Sequence, residues 1–190
     1  MSRNILITGG SGYIGGSLLA ELKSATDIPA HGTVYALVRS DDQAKNVRSH
    51  YNATPLMLDL NDQSVITATL LEKKISVVFF MINAFTADAQ LKLIEALATV
   101  KKQMVVETHF LHTTGAKLFS SFTSHPTDKP LSDADDELYD IQKNAKSKFP
   151  PMETVSPSIQ SCRAARMITK SFFRRSVQTT RSSKLEKSTA

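Results

Sequence analysis

Ile5-Leu6-Ile7-Thr8-Gly9-Gly10-Ser11-Gly12-Tyr13-Ile14-Gly15 is the stretch of sequence that decides the fold. Its apolar start predicts a buried strand, its glycine cluster predicts a tight loop, and a helical pattern of apolar residues follows at once. The loop contains the spacing Gly10-x-Gly12-x-x-Gly15. In that pattern the first glycine permits the turn, the second lets a pyrophosphate approach the backbone, and the third lets helix and strand pack closely. The N–H groups at the start of the helix, with the positive end of its dipole, then face the phosphates.

Apolar strands alternate with helical patterns along the chain after this loop. The sequence predicts strands at 4–8, 33–38, 55–58, 75–82 and 110–113, and helices at 13–25, 41–50, 61–74, 88–101 and 137–148. We expect the fourth strand to lie centrally because it is the most apolar. Strands alternating with helices predict right-handed crossovers and an α/β fold, a Rossmann-type doubly wound parallel sheet with helices on both faces.

The helical periodicity also predicts which side chains of three helices face the core. These are Ile14, Leu18, Leu19 and Leu22 on the first helix, Val65, Ile66 and Leu70 on the third, and Leu91, Ile94, Leu97 and Ala98 on the fourth. Asn61 or Asp62 is predicted to cap the third helix.

The composition indicates one globular domain followed by a basic tail. The chain has 190 residues, 41% of them hydrophobic, and its longest apolar run, 77–82, is too short to span a bilayer. Residues 157–190 hold eight Lys or Arg residues and one Glu, a net charge of +7, which leaves 1–156 at −2 within the total of +5. We therefore predict an NAD(P)-binding domain at 1–156 and a basic tail, disordered or partly helical, at 157–190.

Charge and cysteine usage limit the function classes. Because the body is near neutral, the high pI does not indicate a specific nucleic-acid-binding protein. The single Cys162 excludes an internal disulfide framework and suits a reducing compartment. The chain begins directly with a strand, without a visible signal peptide. We therefore expect a cytoplasmic protein.

The residues after the second strand bear on the choice of cofactor. An acidic residue there binds the adenosine ribose of NAD, whereas an arginine accommodates the 2′-phosphate of NADP. This chain has Arg39, whose guanidinium can pair with a phosphate, and Ser40, which can add a hydroxyl. The pattern favours NADP, while Asp41 and Asp42 keep NAD open.

A tyrosine and a lysine lie four residues apart on the last predicted helix. Tyr139 and Lys143 therefore share one helix face. A phenol has an ordinary pKa of about 10, and a nearby ammonium favours the phenolate. Such a pair can move a proton to or from a carbinol or carbonyl oxygen. Thr113 and Thr114 end the preceding strand, where a hydroxyl could steady the same oxygen.

Taken together, these motifs resemble the extended short-chain dehydrogenase/reductase family, which includes nucleotide-sugar epimerases and dihydroflavonol-type reductases. Residues 8–15 match the family's Thr-Gly-x-x-Gly-x-x-Gly cofactor motif, and 111–119 are similar to fungal epimerase-like or reductase-like members. Asp59-Leu60 matches the pair that contacts adenine, and Asn83-Ala84 falls at a structural motif beside the cofactor. The cofactor-binding residues are thus predicted to be Thr8, Gly9, Gly10, Ser11, Gly12, Tyr13, Ile14, Gly15, Arg39, Ser40, Asp59, Leu60, Asn83 and Ala84.

The resemblance implies a catalytic set and partners. Tyr139 would be the general acid/base, Lys143 would hold the nicotinamide ribose and lower the tyrosine pKa, and Thr114, or less readily Thr113, would bind the substrate oxygen. Hydride would pass between the nicotinamide and a substrate carbon. The implied partners are NADP or NAD, a small-molecule substrate such as a sugar nucleotide or a ketone or alcohol, and a second copy in a homodimer.

The resemblance covers about residues 3–155, and the family usually continues with a substrate-binding domain. The change of composition near Val155 therefore predicts a C-terminally truncated product with weak or absent catalysis. The alternative is a non-catalytic dinucleotide-binding module with a basic interaction tail. In that tail Ala165, Ile168 and Phe172 recur at helical spacing among basic residues, a pattern that would suit an acidic partner or a membrane surface.

Overall fold

The computed structural model describes residues 3–26, 28–83 and 86–113, together with 120–121, 128, 130, 132, 134–135 and 137–144. Its strands are β1 Asn4–Ile7, β2 Val34–Leu37, β3 Thr54–Leu56, β4 Ile75–Phe80 and β5 His109–His112. Its helices are α1 Tyr13–Ser24, α2 Asp41–Tyr51, α3 Gln63–Glu72, α4 Asp88–Met104 and α5 Leu138–Asn144. In the part of the chain that the model describes, no helix is both long and apolar enough to cross a membrane.

The five strands form one parallel sheet in the order β3-β2-β1-β4-β5. The predicted Rossmann-type α/β fold is therefore confirmed. The predicted placement of β4 inside the sheet is also confirmed, because β4 pairs with β1 on one side and with β5 on the other. The most apolar strand is one position off centre, between β1 and β5, because two strands follow β1 on one side before the chain returns to the other.

Helices cover both faces of the sheet and bury a separate core on each. Against α1 and α2, the buried residues include Ile7, Leu19 and Val47. Against α3 and α4, they include Leu6 and Phe80. The two faces of a strand alternate, so Leu6 and Ile7 enter opposite cores. Strands covered on both faces read as continuous apolar runs, as this sequence does.

Local side-chain chemistry fixes where the helices begin and end. The hydroxyl of Ser40 accepts from the backbone N–H of Gln43 at the start of α2, and Asn52 ends that helix with a left-handed backbone. The carboxylate of Asp62 caps α3 by accepting from the backbone N–H groups of Ser64 and Val65. Of the two predicted caps, Asp62 and not Asn61 is therefore the one used.

Parts of the predicted helix faces are wrong. On α4 the buried stripe runs through Gln90, Leu93, Ala96, Leu97 and Val100, so of the predicted inward set only Leu97 is buried. On α3 and α1, Ile66, Leu70 and Leu19 are buried, but Val65 and Ile14 are exposed. Several apolar positions fit two neighbouring helix faces, and tertiary packing decides between them.

Candidate functional site

The order in which strands are added to the sheet reverses between β1 and β4. After β1 the chain builds β2 and β3 on one side, and it then crosses to build β4 and β5 on the other. In open parallel sheets this switch point opens a crevice at the carboxyl ends of the strands, where ligands bind. The glycine loop follows β1 and the segment from Met81 follows β4, so both of them lie at this end of the sheet.

The turn after β1 depends on Gly9. Its φ of +68° is left-handed, and it is the one described glycine with a positive φ. The carbonyl of Gly9 accepts from the N–H of Gly12 at 2.9 Å, which closes the turn. The turn-forming role predicted for Gly10 therefore belongs to Gly9. A side chain at position 10 is disfavoured for another reason, because a Cβ on Gly10 would lie 2.9 Å from the Leu19 side chain.

Close packing of α1 against the loop requires Gly15. A Cβ at this position would overlap the carbonyl group of Gly9, with its carbon 2.7 Å away, and would lie 3.0 Å from the Cα of Gly10. These neighbours are backbone atoms and cannot turn aside. The predicted role of the third glycine in helix packing is therefore confirmed.

The N-terminus of α1 is open. Its cap residue, Gly12, offers no side chain, and its first turn contains no acidic residue. Tyr13 is 92% exposed, and Ile14 and Ser11 are also exposed. The first backbone N–H groups of any helix lack partners within the helix. Here they face the crevice together with the positive end of the dipole, which is an arrangement that binds phosphate groups.

Thr8 joins the ends of β1 and β4 by hydrogen bonds beneath the loop. Its hydroxyl is fully buried and accepts from the N–H of Met81 at 2.8 Å, and its own N–H donates to the carbonyl of Phe79 at 3.0 Å. On the other side of β4, the N–H of Thr113 donates to the carbonyl of Phe80 at 3.0 Å. These bonds extend the sheet by one residue on β1, β4 and β5 and fix the floor of the crevice.

Two predicted cofactor residues follow β2. Arg39 is exposed, and its backbone N–H donates to the side-chain carbonyl of Gln43 at 2.8 Å. The Ser40 hydroxyl accepts from the N–H of Gln43 at 3.3 Å. An oxygen that accepts in this way retains its own proton for donation. The Arg39 guanidinium and the Ser40 hydroxyl therefore belong to consecutive residues, which lie after β2 at the edge of the crevice.

The remaining predicted cofactor residues lie on the loops after β3 and β4. Asp59 is exposed and accepts from the backbone and side-chain amides of Asn61, both at 2.9 Å, while Leu60 packs on the core beside α3 and α4. The side-chain amide of Asn83 donates to the hydroxyl of Thr86 at 3.0 Å. Ala84 lies outside the described residues.

The side chains of the predicted catalytic set lie outside the described part of the molecule. Thr114 lies outside the described residues. Tyr139 and Lys143 lie on α5, but their side chains are outside the described part of the molecule. Thr113 is described and follows β5 directly.

Sequence analysis missed a buried glutamine beside the site. Gln90 is fully buried, and its side-chain NH₂ donates to the carbonyls of Asn83 and Thr86 at 2.7 and 2.6 Å. A signal for it was present, because Gln90 precedes Leu93 and Leu97 by three and seven residues and so shares their helix face. A polar residue on an apolar stripe has to find partners in the interior.

The histidines at the two ends of β5 have lowered pKa values. Burial lowers the pKa of His112, whose ring lies 5.9 Å from that of Phe80. Burial, reinforced by the Arg3 guanidinium, lowers the pKa of His109, whose Nε2 lies 2.9 Å from an Arg3 nitrogen. Among the described residues no group of His, Cys, Asp or Glu is placed to hold a metal ion.

Comparison with known proteins identifies the family. The family model described as the NmrA-like family matches residues 1–123. The chain belongs to the NmrA-like family. The family match of this NmrA-like chain and its parallel sheet confirm the predicted resemblance. No curated protein matches the chain significantly.

Solved structures share the fold at low identity. The UDP-Glc/GlcNAc 4-epimerase from Campylobacter jejuni is 18% identical, with a TM-score of 0.61 over 88% of this chain and 50% of the epimerase. Leucoanthocyanidin reductase from Vitis vinifera, in a ternary complex, is 18% identical, with a TM-score of 0.50 over 85% of this chain and 43% of the reductase. The NmrA-like chain thus spans half or less of the length of these proteins.

Proposed function

We propose that this NmrA-like chain binds NADP in the crevice at the carboxyl ends of β1 and β4. The observation that carries the proposal is the open start of α1, which is packed onto the left-handed turn at Gly9 through Gly15. A pyrophosphate that reaches this turn meets backbone N–H groups and the positive end of the helix dipole.

Preference for NADP over NAD is proposed to come from Arg39 and Ser40. The Arg39 side chain is exposed, and a guanidinium binds a phosphate through paired, charge-assisted hydrogen bonds. The Ser40 hydroxyl already caps α2 and keeps its proton for a phosphate oxygen. Asp59 and Leu60, on the loop after β3, are proposed to contact the adenine.

The proposed activity is that of a reductase or epimerase acting at a carbinol or carbonyl. The bound dinucleotide supplies the hydride chemistry. Tyr139 is proposed to exchange the proton at the substrate oxygen, Thr114 to bind that oxygen and Lys143 to hold the nicotinamide ribose. The substrate class is a sugar nucleotide or a small ketone or alcohol. Homodimer formation, a cytoplasmic location and contacts of the basic tail at 157–190 with an acidic partner or membrane surface are parts of the same proposal.

NADPH and NADH titrations followed by nicotinamide fluorescence test the proposal. The unsubstituted chain should bind NADPH more tightly than NADH. Arg39→Ala should weaken NADPH about tenfold, the effect of losing charge-assisted hydrogen bonds, and leave NADH unchanged. Arg48→Ala is the matched control, because Arg48 is also exposed but lies in the last turn of α2. It should change neither affinity more than about twofold.

Two results would contradict parts of the proposal. If neither nucleotide binds, the dinucleotide site itself is wrong. If Arg39→Ala weakens NADH as much as NADPH, Arg39 does not bind the 2′-phosphate. Binding without turnover on any carbonyl substrate would favour the alternative function, a dinucleotide-binding module without catalysis.

A further inference from the structure

We propose that Gln90 is a positioning residue that holds the backbone after β4 against the dinucleotide turn. The expected effect on nucleotide affinity rests on the proposed function. The positioning role itself rests on the hydrogen bonds of Gln90 at the start of α4. Gln90 lies in the first turn of α4 and is fully buried. Its side chain reaches back toward the crevice and not sideways to another helix, since both its partners precede it in the chain.

Two short hydrogen bonds fix the approach to α4. One amide nitrogen, Nε2, donates to the carbonyl of Asn83 at 2.7 Å and to that of Thr86 at 2.6 Å. An amide NH₂ has two protons, so these bonds use its whole donor capacity. The Asn83 amide also donates to the Thr86 hydroxyl at 3.0 Å, so the two ends of this segment are joined twice. β4 ends at Phe80, three residues before Asn83.

The segment held by Gln90 is continuous with the wall of the dinucleotide turn. Met81, two residues before Asn83, donates its N–H to the Thr8 hydroxyl at 2.8 Å. The carbonyl of Met81 faces Gly9 so closely that a Cβ on Gly9 would lie 3.2 Å from its oxygen. A shift of the backbone after Met81 would therefore reach the left-handed turn directly. Gln90 sets the position of one side of the crevice without touching the dinucleotide itself.

Because Gln90 is buried, the loss of its two hydrogen bonds would be costly. An interior amide that lost its two acceptors would carry the full cost of desolvation, so the pairing is held strongly. Its Oε1 is also buried and has no partner among the described residues. An apolar residue of the same length would avoid that cost altogether. Glutamine is present despite it, which fits selection of the two bonds for geometry.

The chain supplies a close control for this proposal. Gln63 on α3 also has an Nε2 that donates to a backbone carbonyl, that of Lys92 on α4, and a buried Oε1 without a partner among the described residues. The second bond of this Nε2 goes to the Thr67 hydroxyl within α3, so neither bond reaches the segment after β4. Gln63→Met and Gln90→Met therefore make the same chemical change at two places, only one of which adjoins the crevice.

Nucleotide affinity and amide hydrogen exchange, measured on the full chain, test the proposal. Gln90→Met should raise the NADPH dissociation constant about tenfold and Gln63→Met less than twofold. Exchange at the amides of Met81 and Asn83 should accelerate about tenfold in Gln90→Met alone, while amides in β1 keep their rates. Unchanged affinity and exchange in a folded Gln90→Met would overturn the proposal.

A second variant covers the case in which Gln90→Met does not fold. In Gln90→Glu the introduced carboxyl donates one hydrogen bond when protonated and none when ionised. Burial raises the pKa of such a group. The affinity of Gln90→Glu, relative to the unsubstituted chain at the same pH, should therefore recover as pH falls from about 8 to about 5.5. A ratio that does not change with pH would overturn the proposal.

The proposal and the proposed function fail in different ways. If the unsubstituted chain binds no nucleotide, the proposed function is wrong, and hydrogen exchange at Met81 and Asn83 alone decides whether Gln90 positions this segment. If the unsubstituted chain binds NADPH, and the Gln90 variants match Gln63→Met in NADPH affinity and amide exchange, the proposed function stands and the positioning role is wrong.

Discussion

The starts of α1 and α2 lie at the same edge of the sheet and are built in opposite ways. At α2 the Ser40 hydroxyl accepts from the Gln43 N–H, and Asp41 and Asp42 supply negative charge in the first turn. At α1 the cap is Gly12, which has no side chain, and the first turn has no acidic residue. One helix satisfies its own N-terminus, and the other leaves that task to solvent or to a ligand.

This difference shows where each helix obtains its stability. Caps and first-turn acids stabilise a helix locally, and α2 uses both. α1 forgoes them and is held by packing, with Gly15 and Gly16 buried against the loop and Leu19 buried in the core. A helix start that is to receive an anion cannot also be filled by its own carboxylates. The absence of local stabilisation at α1 is therefore informative about function.

Gly15→Ala should have the largest effect. The added methyl would overlap backbone atoms of Gly9 and Gly10, so α1 would have to move away from β1. We expect a loss of about 3 kcal/mol in the free energy of unfolding, at the upper end of overpacking costs, together with loss of NADPH binding. Urea unfolding and fluorescence titration measure the two effects.

The control for this variant is Gly12→Ala. Its added methyl would lie 3.2 Å from the Gly9 carbonyl oxygen, in a backbone conformation that alanine adopts. Its free energy of unfolding should fall by less than about 1 kcal/mol. Equal destabilisation by the two variants would show that α1 does not depend on close packing at Gly15.

Ser40→Ala should have the next largest effect, because it removes the cap of α2. We expect the free energy of unfolding to fall by about 1 kcal/mol. The corresponding change in the α1 loop is Ser11→Ala, at an exposed residue, and should stay within about 0.5 kcal/mol. Urea denaturation of both variants makes the comparison. A larger loss from Ser11→Ala than from Ser40→Ala would reverse the contrast between the two helix starts.

How far the sequence predicts this molecule depends on the range of the interactions involved. The alternation of strands and helices and the glycine spacing are local, and from them the parallel sheet and the loop before α1 follow correctly. The buried face of α4 is decided by distant partners, and the inward set predicted for that helix is wrong except at Leu97. Gly9 was missed as the turn residue because two adjacent glycines fit the same pattern, and only backbone angles distinguish them.

At the site, the sequence predicts residue types better than their connections. The glycine loop follows β1 as the motif predicts, with a left-handed turn at Gly9 and the start of α1 directly after Gly12. The carbonyl acceptors of Gln90 belong to backbone whose position depends on the whole β4–α4 connection. No residue pattern encodes that path, so the role of Gln90 emerges only from the three-dimensional arrangement. The catalytic assignments to Thr114, Tyr139 and Lys143 stay predictions.

A third helix start, that of α3, should add a pH dependence to the stability of the fold. The Ser64 hydroxyl, followed by the Val65 N–H, lowers the pKa of Asp62 from its ordinary value of 3.8. A carboxylate with a lowered folded-state pKa stabilises the fold above its unfolded pKa, and this contribution is lost as pH falls through the folded value. The urea midpoint should therefore fall on acidification below about pH 4, and it should fall less in Asp62→Asn. An equal acid response in both proteins would contradict the role of this cap.

The smallest expected effect is the binding of inorganic pyrophosphate alone. The amide resonances of Tyr13, Ile14 and Gly15 should shift on titration, because the open start of α1 attracts the anion. The Gln43 amide should not shift, because Ser40 and two carboxylates already occupy its surroundings. Nuclear magnetic resonance detects such weak binding. Shifts at Gln43 without shifts in α1 would place the anion at the wrong helix.

The hydrogen bond between Thr8 and Met81 sets an order of assembly during synthesis. Its two residues are 73 positions apart in the chain. β1 and the glycine turn leave the ribosome before β4, so their floor is missing until β4 has been made. Contacts that join distant parts of a chain form late, because a long loop must close first. The floor beneath the turn at Gly9 is thus among the last parts of this half of the sheet to take shape.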